Sequence, residues 1–241
     1  MSTANQTVTT LGIIGAGNIG STVARLALDA GIDVVIANSR GPETLTELID
    51  ELGDRARAAT AEEAAEAGDV VVVTVPFRAY RDLPVETLVG KVVLDTNNYY
   101  PDRDGSIPEL DEHRTTTSTL VQEHLAGARV VKAFNSIFFV ALAALARPQG
   151  DPGRSALPIF GDDQAALATA TDVLDALGYD VVVGGSLAES WRAENGRPVY
   201  VLPYAQDGEV TVPAPADGAI VRRLLESAVR DDPAQQPGML S

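Results

Sequence analysis

The sequence predicts an α/β chain built on a doubly wound parallel sheet and closed by a smaller α/β portion. Three observations carry that expectation. Short apolar runs alternate with helix-period segments through the first 135 residues, the pattern of consecutive βαβ units. The first apolar run, residues 11–15, ends directly in a glycine-rich turn. Residues 70–75 form a run dominated by valine, which suits a central strand covered on both faces.

In chain order, residues 11–15 read as a buried strand and 21–30 as a helix closed by Gly31. A second strand spans 32–37. A helix spans 42–52, with Pro42 in its first turn and Gly53 past its end. Residues 60–67 are a short Ala/Glu helix. The strand at 70–75 is stopped by Pro76. A helix is expected over 78–88, interrupted at Pro84, then a strand at 92–95, a largely helical stretch at 110–125 and a strand at 130–134. Beyond these come an Ala-rich helix (138–146), a Pro/Gly loop (148–158), a strand (157–160), an amphipathic helix (163–177), a strand (179–183) and a last helix (216–229). Residues 186–204 carry no clear pattern. The expected division is 1–136 for the doubly wound domain, 137–229 for the smaller portion, and 230–241 for a mobile polar tail.

The chain has 241 residues, 45% of them apolar, enough for a sizeable core. Its formal net charge of −16 argues against nucleic acid and anionic membranes as partners, because both need clustered cations. With no cysteine, disulfides, thiolate nucleophiles and zinc–sulfur sites are excluded. His113 and His124 lie in one polar stretch and could share a helix face, but two histidines without a third ligand make a poor metal site, and no metal is expected. No apolar run has the roughly 20 residues a membrane span needs. Residues 1–10 lack the basic and apolar regions of a signal peptide, so a cytoplasmic protein is expected.

Gly15-Ala16-Gly17-Asn18-Ile19-Gly20 is a G-x-G-x-x-G between the first strand and the first helix. That context turns a weak motif into a dinucleotide signature of the Rossmann type. Gly15 permits the tight turn, Gly17 lets backbone approach a pyrophosphate, and Gly20 lets helix and strand pack closely. The helix N-terminus then binds the anion through free N–H groups and its dipole. A purely structural turn and an FAD-type site are the other readings of the motif.

The tip of the second strand separates NAD from NADP. NAD binders carry a carboxylate there for the ribose hydroxyls. This chain has Asn38-Ser39-Arg40. Ser39 offers a hydroxyl and Arg40 a guanidinium, which suit a 2′-phosphate, and Asn38 does not repel it. NADP(H) is therefore the expected cofactor. The strand ends at Thr74-Val75-Pro76-Phe77 and Asp95-Thr96-Asn97-Asn98 should line the ligand crevice. Tyr99 and Tyr100 follow, placed to close over a ring or to pack as a surface turn.

At Gly15 to Gly20, Asn38 to Arg40, Thr74 to Pro76 and Lys132-Ala133-Phe134-Asn135, the chain resembles the NADPH-dependent coenzyme F420 reductases and the related oxidoreductase domain of the STEAP metalloreductases. Val131 to Ile137 is the most specific stretch, and Gly185-Ser186-Leu187 matches a short motif of the smaller portion. The resemblance implies a Rossmann domain followed by a small α/β part, a deazaflavin or flavin in the cleft between them, and hydride transfer between nicotinamide C4 and deazaflavin C5. It places Ser39 and Arg40 at the 2′-phosphate. Val75, Pro76 and Ala133 to Asn135 would flank the nicotinamide. Ser136, Ser186, Leu187 and Trp191 would face the second ring. It also implies a homodimer through the C-terminal part. The residues after Asn97 and from Glu189 to Tyr204 depart from the family pattern.

Such chemistry asks chiefly for positioning, so no acid or base is assigned. Lys132 is read either as a donor to a substrate anion or as half of a structural ion pair. A reductase of another small molecule (a flavin, a quinone or an imine) fits the same scaffold. For an imine, a proton donor such as Tyr99, Tyr100 or Asp95 would have to face the nicotinamide. A non-enzymatic NADP(H) sensor is the third reading.

Overall fold

The computed structural model describes residues 8–230. The buried strand β1 (Thr10–Ile14) leads into α1 (Asn18–Asp29). β2 (Asp33–Ala37), a 3-10 turn at Pro42–Leu45, α2 (Thr46–Leu52), β3 (Ala56–Ala58), α3 (Ala61–Ala67) and β4 (Val70–Val73) follow. Next come β5 (Val92–Asp95), the short helices α4 (Pro101–Asp104) and α5 (Pro108–Asp111), α6 (Thr117–His124) and β6 (Arg129–Lys132). The remainder is α7 (Phe139–Ala144), β7 (Ala156–Gly161), α8 (Gln164–Ala176), β8 (Asp180–Gly185), a hairpin of β9 (Ala205–Gln206) and β10 (Glu209–Pro213), and α9 (Gly218–Ser227).

One sheet holds β1 to β8 in the order β3-β2-β1-β4-β5-β6-β7-β8. Strands β1 to β6 are mutually parallel, and β7 runs antiparallel to β6 and parallel to β8. The chain winds outward from β1 to β3 and then returns to the other side of β1. The topological switch point therefore lies between β1 and β4, where ligands of doubly wound sheets bind.

Successive side chains of a strand point to opposite faces, and the two faces feed two cores. Leu11, Ile13, Val34, Ile36, Val70, Val72 and Leu94 pack under α1 with Val23, Ala24 and Ala27. Val35, Ala37, Val71, Val73, Val93 and Val130 pack with Ala64, Ala65 and Val121 of α3 and α6. Each buried valine, leucine or isoleucine among them contributes about 1.5–3 kcal/mol by burial.

The smaller portion shares this sheet. β7 pairs with β6 only at Val131↔Gly161 and Lys132↔Phe160. The first residues of β7 therefore run past the carboxyl end of β6, and β7 and β8 stand as a wall beside the crevice.

Several elements differ from the sequence expectation. The stretch 110–125 is split, because Thr116 caps α6 by accepting from the Thr119 N–H. His113 lies outside both helices in a left-handed turn (φ 54°), so it shares no helix face with His124. Residues 78–88 form two 3-10 helices, Phe77–Asp82 and Glu86–Leu88, on either side of Pro84. The helix expected over 42–52 begins as the 3-10 turn. β3 and the β9–β10 hairpin carried too few apolar residues to signal strands. The expected tail, 230–241, lies outside the described residues except for Arg230.

Candidate dinucleotide site and crevice

The glycine turn is held from both sides: the Gly15 N–H donates to Ala37 O at 2.9 Å, and Thr74 N–H donates to Ile14 O at 2.9 Å. Gly15 sits at φ 119°, and a Cβ there would lie 2.2 Å from Thr74 O. A Cβ on Gly20 would lie 1.9 Å from Gly15 O. Both glycines are thus demanded by the protein itself. Gly17 is different, because a Cβ there meets nothing within 4 Å. The space above it is open, as close approach by a pyrophosphate requires. Gly17 is also the N-cap of α1, with no side-chain cap and no acidic residue in the first turn. The first-turn N–H groups and the helix dipole are therefore available to an anion beside Asn18, Ile19 and Gly20. These residues fit a dinucleotide.

At the tip of β2, Asn38 is turned inward on its own loop. Its Oδ1 accepts from the Arg40 N–H at 2.9 Å, and its Nδ2 donates to Thr44 Oγ1 at 2.9 Å. Asn38 thus shapes the turn that presents Ser39 and Arg40, both exposed. Among the described residues no carboxylate pairs with Arg40, so its guanidinium is free for a phosphate.

Thr74, Val75 and Pro76 lie partly exposed at the carboxyl end of β4, while Phe77 turns into the core and stacks on Tyr80 with ring centroids 4.8 Å apart. At the end of β5, Asp95 accepts from the Asn97 N–H (3.0 Å) and from Ser118 Oγ (2.5 Å). Lys132 on β6 is fully buried 3.6 Å from Asp95. It donates to Asn97 O and, at 2.6 Å, to Thr117 Oγ1. Lys132 is therefore structural and reaches no substrate, and Asp95 is consumed in the same network. Asn97, 3% exposed, has a side-chain amide with no protein partner.

The turn after β6 crosses to the smaller portion. Phe134 adopts φ 60°, a left-handed conformation that costs a bulky residue about 1–3 kcal/mol. Asn135 Nδ2 donates to Ala193 O (2.7 Å) and Asn98 Oδ1 (3.1 Å), and Asn98 Nδ2 returns a bond to Asn135 O (2.8 Å). Ala133 and Ser136 are buried on either side. The Val201 N–H donates to Ser136 O at 2.8 Å, and Val201 is itself left-handed at φ 59°. That strained turn carries Tyr200, whose hydroxyl is hydrogen-bonded to the Tyr100 hydroxyl.

Tyr200 was invisible to sequence reasoning, because nothing along the chain relates two tyrosines a hundred residues apart. Tyr99, by contrast, spends its hydroxyl on Asp111 (2.7 Å), Gly105 O (2.9 Å) and the Ile107 N–H (3.0 Å).

In the smaller portion Ser186 is partly exposed ahead of the 3-10 helix Leu187–Ala193. Leu187 is buried, with its N–H donated to Asp162 (3.0 Å) and its carbonyl accepting from Thr116 (2.9 Å). Trp191 is 8% exposed and packed against the guanidinium groups of Arg192, Arg197 and Arg230 at 4.5, 5.4 and 5.7 Å from its ring centroid. Its ring is occupied by these cations, in place of the substrate stacking expected for it.

A doubly wound sheet with an uncapped glycine turn, and a second strand ending in serine and arginine, define an NADP-dependent oxidoreductase. The family described as NADP oxidoreductase, coenzyme F420-dependent, matches residues 10–99, and the chain belongs to that family. It is 31% identical over 96 residues to the Escherichia coli K12 protein YjhV, a match covering 35% of this chain and 70% of that protein. The crystal structure of SMa0349 from Sinorhizobium meliloti has 30% identity and a TM-score of 0.70, covering 88% of this chain and 97% of its own. A candidate F420-dependent NADP-reductase from Arthrobacter sp. FB24 shares the fold at 24% identity and a TM-score of 0.65, covering 76% of this chain and 87% of its own.

Proposed function

We propose that this protein transfers a hydride between NADP(H) and the deazaflavin coenzyme F420. The observation that supports this most is the lining of the crevice. The charged groups at the ends of β5 and β6, Asp95 and Lys132, are buried and paired. That leaves backbone, amide and apolar groups to face a planar acceptor. Bound NADPH supplies the hydride and the deazaflavin accepts it, so the protein's task is positioning.

Gly15, Gly17, Asn18, Ile19 and Gly20 hold the pyrophosphate. Ser39 and Arg40 hold the 2′-phosphate on the turn shaped by Asn38. Thr74, Val75, Pro76, Asn97, Ala133, Phe134 and Asn135 flank the nicotinamide end. Asn97 and the Oδ1 of Asn135, both without protein partners, are the groups able to take a carboxamide. Ser136, Ser186 and Leu187 border the second substrate against the β7–β8 wall. The hydroxyls at Tyr100 and Tyr200 favour a second reading, in which the acceptor is an imine or a quinone.

The test is to mix the protein with NADPH and oxidised coenzyme F420 and follow loss of both absorbances, with FMN and FAD as parallel acceptors. Stoichiometric loss with the deazaflavin is expected. Tight NADPH binding without deazaflavin turnover would shift the reading to another acceptor.

A further inference from the structure

We propose that the Tyr100–Tyr200 hydroxyl pair donates the proton that accompanies hydride transfer, with Tyr200 as the donor and Tyr100 as its relay to solvent. The proposal rests on the hydride-transfer reading of the crevice and holds for any acceptor that takes a proton with the hydride.

Two observations place the pair. Tyr100 stands at the N-cap of α4, five residues beyond the end of β5. Tyr200 precedes Val201, which is tied to Ser136 at the end of the Ala133–Asn135 turn. The pair therefore joins the loop after β5 to the smaller portion beside the Ala133–Asn135 turn.

The pair is also built for directionality. Two hydroxyls carry two protons, and the bond between them uses one. With Tyr100 donating to Tyr200, the Tyr200 O–H keeps a proton that the bond between them does not use. Neither hydroxyl bonds any other described residue. Burial, reinforced by the Tyr100 phenol, holds Tyr200 well above the usual phenol range, so it carries its proton at neutral pH. The Arg103 guanidinium lies 4.8 Å from the centroid of the Tyr100 ring, where it steadies a transient phenolate. Both side chains keep part of their surface exposed, so water can restore the lost proton.

The step balances. As NADPH is oxidised to NADP+, a C–H bond forms at the acceptor carbon, C5 of the deazaflavin or the carbon of a C=X group. The displaced electron pair moves to a heteroatom X, through the conjugated ring to a nitrogen in the deazaflavin and directly in a C=X acceptor. The Tyr200 O–H bond breaks and its proton goes to X. The Tyr100 proton passes to Tyr200, and water reprotonates Tyr100.

The experiment compares the full chain with Tyr200→Phe and Tyr100→Phe, using oxidised coenzyme F420 and 1-pyrroline as acceptors. Tyr200→Phe is expected to lower kcat about 10²–10⁴-fold at neutral pH, with the NADPH Kd unchanged. The residual rate should rise about tenfold for each unit the pH falls, as solvent protons replace the donor. Tyr100→Phe should lower kcat less. A merely structural bond between the two portions would leave the pH profile unmoved.

A second readout needs no acceptor. In protein labelled with 13C at the tyrosine ζ carbon, exchanging bound NADP+ for NADPH should shift the Tyr100 and Tyr200 resonances and leave Tyr179 and Tyr204 in place. If the wild type reduces neither acceptor but shows these shifts, the choice of acceptor fails and the proton donor stands. Silent resonances, or variants with the wild-type pH profile, would overturn the proposal.

Discussion

Lys132 on β6 faces Asp95 directly across the parallel ladder, with its ammonium 3.6 Å from the carboxylate and both side chains fully buried. The pair is finished by Ser118 and Thr117 from the start of α6 and by the backbone of Asn97. Thr117 passes the connection on to Glu194 of the smaller portion at 3.0 Å. One network therefore ties the ends of β5 and β6 and the start of α6 to Glu194. Removing one partner leaves an uncompensated charge. Lys132→Met is expected to cost about 3–5 kcal/mol in urea unfolding. A loss under about 1 kcal/mol would contradict this account.

The three motif glycines should separate into two classes. Gly20→Ala places a methyl group 1.9 Å from Gly15 O and 2.8 Å from Thr74 Cγ2. Although alanine is ordinarily favoured in a helix, this overpacking should cost about 1–3 kcal/mol. Gly17→Ala meets nothing within 4 Å, so the melting temperature should hold. NADPH affinity should nevertheless fall by at least about tenfold, or 1.4 kcal/mol. Calorimetric melting paired with NADPH titration distinguishes the two.

Arg40 is expected to select the nucleotide. A charge-assisted hydrogen bond to a phosphate contributes about 1.5–3 kcal/mol. Arg40→Asp should weaken NADPH binding roughly ten- to hundredfold and leave NADH nearly unaffected. Equal losses in parallel fluorescence titrations would show that Arg40 does not touch the 2′-phosphate.

Acid stability should depend on Asp104. Burial pushes its carboxyl up, but bonds from Arg103 and from the backbone N–H groups of Tyr100 and Arg78 outweigh that and hold it below its ordinary 3.8. The folded-state pKa is therefore depressed. Its stabilisation is complete above the ordinary value and is lost as pH falls through the lower folded one. Asp104→Asn should bring the denaturation midpoints at about pH 7 and about pH 3 closer together than in the wild type. It also leaves one of the two backbone N–H groups, of Tyr100 or of Arg78, without its acceptor oxygen.

The parallel half of the fold was legible because burial on both faces forces unbroken apolar runs, and the turn chemistry of Gly15 and Gly20 is local. Helix boundaries were less legible around 110–125, where the break depends on Thr116 capping α6. Lys132 was ambiguous in sequence, since only its ladder partner Asp95 decides what it does. Trp191 read as a ring facing the substrate, and only the folded chain sets the guanidinium groups of its neighbours Arg192 and Arg197 and of the distant Arg230 against it.

What the sequence by itself determined was the doubly wound class, the dinucleotide turn and the carboxylate-free tip of β2, because each rests on local runs and turn residues. Only the tertiary structure decided that β7 turns antiparallel onto β6, that Asp95 and Lys132 neutralise each other, and that Tyr100 meets Tyr200. Those are contacts between segments 25 to 100 residues apart, fixed by packing and hydrogen-bond satisfaction and not by local propensity.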